Sequence, residues 1–105
     1  MKKAIPISLL LLFLSCNIYA QEEHNYKPKE GYVPNAAAAI KIAEAVLIPI
    51  YGEKDFNEEK PHKAELKDGV WNVKGSFPKK YAKGGVAEIK ISKDDGRILR
   101  VTHGK

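Results

Sequence analysis

The residues of this chain best suited to metal ligation or proton transfer are three histidines, His24, His62 and His103. A zinc site needs three or four converging ligands, commonly with short spacing between some of them. These three are scattered, no HExxH occurs, and the single cysteine, Cys16, lies in the N-terminal apolar run. They read as solvated or strand-end histidines. Beyond residue 20 the serines are Ser76 and Ser92, and neither sits in a GxSxG elbow. The carboxylate pairs Glu22-Glu23, Glu58-Glu59 and Asp94-Asp95 are adjacent, so their side chains point apart rather than face each other as an acid and base would. Asp94-Asp95-Gly96 suits a turn better than a calcium loop, which needs a longer run of alternating oxygen ligands. Gly84-Gly85 lacks the Lys-Ser/Thr and following helix of a phosphate loop and reads as a bulge or turn. The pattern nominates no catalytic, cofactor-binding or metal-binding residue, and no cofactor.

What remains is binding, and binding depends on the elements that carry the side chains. Met1-Lys2-Lys3, the apolar run Ile5 to Leu14 and Ile18-Tyr19-Ala20 form a secretory signal peptide, with cleavage after Ala20. The run is too short for a membrane span, which takes about 20 residues. The alternative makes Cys16 a lipidated N-terminus, but Phe13 stands where a lipobox usually has Leu. Cleavage after Ala20 would leave 85 of 105 residues, take Cys16 away, and lower the net charge from +5 to +3 as Lys2 and Lys3 leave. An exported chain without a disulfide suits a bacterial periplasm. A charge of +3 is mild and says little about partners, an exported protein rarely meets nucleic acid, and membrane attachment enters only through a lipid on Cys16. Residues 21–30 (QEEHNYKPKE) read as a flexible lead-in, and 31–105 as one domain.

Within that domain, Asn35 is placed to cap a helix through AAAAIKIAEAVLIPIYG, where Ile40, Ala43, Leu47 and Ile50 recur at spacings of three and four. Pro49 should kink or end it near Ile48, and the charged stretch that follows reads as a loop. Four runs then alternate apolar and polar residues. Ala64 and Leu66 share one face, as do Trp71, Val73 and Phe77, then Ala87, Ile89 and Ile91, then Leu99 and Val101. Asp68-Gly69 signals a two-residue hairpin. Four one-sided strands on hairpin-length connections make an antiparallel meander with one dry face, and the helix is the only large apolar surface available to cover it. The fold class is therefore α+β, with one N-terminal helix packed on a four-stranded antiparallel meander sheet.

The other face is wet. It carries Lys63, Glu65, Asn72, Lys74, Glu88, Lys90 and Arg100, and the loop after the second strand adds Lys79, Lys80 and Lys83. These ten residues are the expected protein-binding surface. A second possibility is a small-ligand pocket between helix and sheet near Tyr51, Trp71 and Phe77. A second copy of the chain pairing along a free sheet edge also fits the pattern.

Four stretches extend this reading: GYVPN at 31–35, AEAVLIPIYG at 43–52, WNVKG at 71–75 and GGVAEIKISKDDGRILRVTHGK at 84–105. Taken in order, they resemble the immunity-protein family with a nuclear transport factor 2-like fold. The resemblance implies a role in bacterial toxin–immunity systems, with a cognate toxin as partner, and brings no catalytic residue with it. A full cone of that fold has about three helices and a strongly bent sheet, so one helix implies a reduced version. The order of helix then meander is also similar to cystatin-like and PepSY-type domains, which implies an alternative role in peptidase inhibition or ligand sensing.

Overall fold

The computed structural model describes residues 24–78 and 85–104. The leader expected at 1–20 and the basic residues Lys79, Lys80 and Lys83 lie outside the described residues.

Helix α1 spans Ala36–Tyr51. Asn35, in extended backbone, starts it by accepting the Ala38 N–H on its side-chain oxygen at 2.9 Å. Asn35→Ala orphans that donor and is expected to cost about 1 kcal/mol, read from the urea-unfolding midpoint at unchanged slope. The helix passes through Pro49 instead of ending near Ile48, one turn longer than expected. A proline at 49 forfeits only the bond to the Ala45 carbonyl, and both residues are exposed, so water satisfies that carbonyl. Gly52 then closes α1 by donating its N–H to the Ile48 carbonyl at 2.8 Å. The stretch read as a charged loop contains a second helix, α2 (Glu53–Glu58). Glu53 and Asp55 favour its first turn through the helix dipole, and the buried Phe56 anchors it to the core.

The sheet is the expected meander, β1 (Lys63–Lys67), β2 (Val70–Lys74), β3 (Ala87–Ser92) and β4 (Ile98–His103), with neighbours antiparallel in chain order. Asp68 and Gly69, at φ 50° and 75°, make the left-handed pair that a tight two-residue hairpin needs. On the dry face the register lines up two cross-sheet rows, Leu66–Trp71–Ile91–Ile98 and Ala64–Val73–Ile89–Val101. Helix α1 lies over β1, β2 and β3. It presents Ala39, Ala43 and Leu47, all buried, and the two alanines let its backbone come close to the sheet. Trp71 joins this core and donates its indole N–H to the Val33 carbonyl at 2.8 Å.

Three apolar assignments differ from expectation. Ile50 is 54% exposed, because the buried helix stripe runs 39–43–47 and has rotated past the sheet by residue 50. Phe77 is 50% exposed. Strand β2 stops at Lys74, and Ser76 donates its N–H to the Glu59 carbonyl at 2.7 Å, so the chain leaves the sheet before Phe77. In β4 a register shift pairs Lys90 with Arg100 but Ile91 with Ile98, which leaves Leu99 as an extra, bulged residue. Ile98 therefore takes the dry-face position assigned to Leu99. Both are exposed, since one helix about 10 Å wide cannot span four strands spaced about 4.8 Å apart.

Candidate partner-binding face

Among the described residues no helix packs across the wet side of the sheet. Its side chains fall into two rows set by the register. The first runs Lys63–Lys74–Glu88–Thr102 and the second Glu65–Asn72–Lys90–Arg100. All seven sheet residues expected on this surface are thus brought together. With Lys67 they make five cations against two carboxylates, a formal +3.

The carboxylates do not neutralise the cations. Glu88 lies opposite Lys74 but accepts a hydrogen bond from the Asn72 amide at 3.0 Å. Among the described residues, none of Lys63, Lys74, Lys90 and Arg100 has a carboxylate within ion-pair distance. A depression of about 290 Å³ opens between Lys63, Glu65, Asn72, Lys74 and Glu88. A second, of about 320 Å³, lies beside it between Lys74, Glu88, Thr102, Val86 and Phe77. Phe77, expected in the core, is instead an exposed aromatic on the rim of the charged face. Neither Tyr51 nor Trp71 lines these depressions. Trp71 is packed in the core.

A contact at the other end of the core has no signal in the sequence. Glu59, only 5% exposed, accepts the Ala87 N–H at 2.7 Å and faces His103 Nε2 at 3.3 Å. The Tyr51 ring lies 5.0 Å from the His103 ring. One carboxylate thus ties the end of α2 to the start of β3 and the end of β4. The pair has the ingredients of base and orienter, but the Ser76 hydroxyl is donated to the Pro61 carbonyl at 2.5 Å and not to a histidine. Among the described residues no cluster of three or more His, Cys, Asp or Glu could hold a metal.

His62 stacks on Phe56, centroids 4.1 Å apart and planes 13° from parallel, with its Nε2 buried and without a hydrogen-bond partner. Burial pushes its pKa below the usual histidine value. The unfolded chain therefore takes the proton more readily, so the stability this site contributes is complete above about pH 6.5 and is lost as the pH falls through the lower folded value. Thermal melts between pH 7.5 and 5 should show that loss, and His62→Phe, which keeps the stack, should make it shallower.

A two-layer domain of this order, with a polar sheet face left open, is what the comparisons with known proteins address. The model of the NTF2 fold immunity protein family matches residues 38–105, from the first turn of α1 through β4. This chain belongs to that family. Two Escherichia coli K12 proteins, both described as uncharacterized, are similar to it along most of their length. YhhH is 34% identical over 106 residues, covering 90% of this chain and 84% of its own, and YbbC is 32% identical over 123 residues, covering all of both. No solved structure matches the chain. As an NTF2 fold immunity protein it has a toxin-immunity role and, with that, a protein partner of the toxin kind. Its α+β architecture agrees with that family, with a second short helix added to the single one expected.

Proposed function

We propose that this immunity protein is exported and neutralises its toxin by binding, with the wet sheet face as the contact surface and no chemistry of its own. The observation that carries the proposal is the open polar face, a four-stranded surface on the side of the sheet opposite α1, which lies over β1, β2 and β3. Charged and rimmed by Phe77, it offers specificity through charge and an aromatic anchor at its edge. Lys79, Lys80 and Lys83, in the stretch after β2, are proposed as further contacts on sequence grounds alone. The basic start and short apolar run of residues 1–20 support export, with the periplasm as the proposed destination after cleavage behind Ala20. Lipidation at Cys16 would instead leave it anchored to a membrane.

Growth under expression of each product of the genes flanking this one tests the proposal, one of them being expected to be the toxin. Full-length protein should restore growth and co-purify with the toxin at a fixed ratio from the periplasmic fraction, with Gln21 as its N-terminus. Recovery of the protein alone, with no rescue, contradicts it.

A further inference from the structure

The wet face holds two cross-strand pairs of like charge, Lys63 opposite Lys74 and Lys90 opposite Arg100. Directly opposed like charges weaken a sheet. Among the described residues no carboxylate lies within ion-pair distance of either pair, and Glu88, opposite Lys74, accepts from the Asn72 amide instead. We propose that each pair is a seat for a carboxylate of the toxin, so that the toxin surface blocked by this protein is acidic. The inference rests on the wet face being the contact surface.

The geometry makes this specific. One seat lies between β1 and β2 in the first row, and the other between β3 and β4 in the second. Strand spacing and rise put their centres roughly 12 Å apart along a diagonal. A docked partner therefore presents two acidic groups at about that separation, and Arg100 can grip one of them bidentately. Glu65 and Glu88 interrupt the cations, so a continuous phosphate backbone would meet repulsion along the face, which favours an acidic protein over nucleic acid. By the same charge argument, a toxin whose working cleft is cationic in order to hold phosphates would be repelled from this face. The toxin that fits carries a carboxylate-lined surface.

The discriminating variant is Lys63→Glu with Arg100→Glu. Both positions are on edge strands with one cross-strand neighbour each, so both changes turn a like-charge pair into an opposite-charge pair. The variant should melt roughly 1–5 °C higher than wild type, and it should bind the inactivated toxin identified by the growth test at least about a hundredfold more weakly. Lys41→Glu with Lys54→Glu, on the helical side, should leave binding unchanged. Wild-type affinity should fall steeply with added salt, and a 20-base-pair DNA duplex should not compete. If the double variant binds as tightly as wild type, melts lower, or the duplex competes, the acidic-seat inference is overturned while the binding role stands. If wild-type protein does not bind the toxin at all, the proposed function falls and the inference with it.

Discussion

Replacing Ile89 by alanine is expected to lower the unfolding free energy by about 2–5 kcal/mol, the range for truncating a fully buried aliphatic side chain. Ile89 is fully buried at the middle of the second dry-face row, flanked by Val73 on β2 and Val101 on β4 and covered by α1. A central strand under a helix cannot collapse onto the space left behind, so the cavity persists and the upper half of the range applies. Small domains have about 5–15 kcal/mol in all, so the variant should be partly unfolded near its growth temperature. Urea unfolding followed by tryptophan fluorescence measures this, with Trp71 as the sole reporter. Leu99→Ala gives the contrast. Leu99 is the bulged, exposed residue of β4, and its truncation should change stability by less than about 0.5 kcal/mol.

Gly31→Ala is expected to cost about as much, roughly 2–5 kcal/mol, from one added methyl. Gly31 sits at φ 88°, which L residues rarely adopt, and a Cβ there would lie 2.5 Å from the Lys93 carbonyl oxygen and 2.9 Å from the Asp94 Cα. Backbone strain of about 1–3 kcal/mol adds to a clash of similar size that no side-chain rotation relieves. The contact holds the N-terminal segment against the β3–β4 turn. Tyr32 and Val33 donate their N–H groups to Asp94 and Lys93 at 2.9 and 3.0 Å, and Val33 in turn accepts the Trp71 indole N–H. Lys27 also reaches Asp94, at 2.6 Å, and Lys93 reaches the Glu30 carbonyl. The loss should therefore show in the near-ultraviolet signal of Trp71 as well as in the unfolding midpoint.

Much of this fold is legible in the sequence because its signals are local. Asn35 before four alanines, Asp68-Gly69 between alternating runs, and strict apolar–polar parity each act within a few residues of where they stand. The wet face could be read for the same reason, since parity alone puts Lys63, Glu65, Asn72, Lys74, Glu88, Lys90 and Arg100 on one side. The errors come from information that is not local. A bulge adds one residue to β4 and reverses parity without altering composition, which exchanged Ile98 for Leu99. Phe77 continues the alternation of β2, but the Glu59 carbonyl, distant in sequence, captures the Ser76 N–H and draws the chain away. Four of the six residues of helix α2 are charged, and only Phe56 among them all reveals that it must pack. The Glu59–His103 contact joins residues 44 apart, and neither end announces the other.

The central claim is that the wet sheet face docks the toxin while the helical side stays free, and lysine footprinting of the complex tests it most directly. Acetylation rates are measured by mass spectrometry with and without saturating toxin. The structure predicts strong protection of Lys63, Lys74 and Lys90 with unchanged reactivity at Lys41 and Lys54. Protection of Lys41 and Lys54, with the three sheet lysines still reactive, would contradict it.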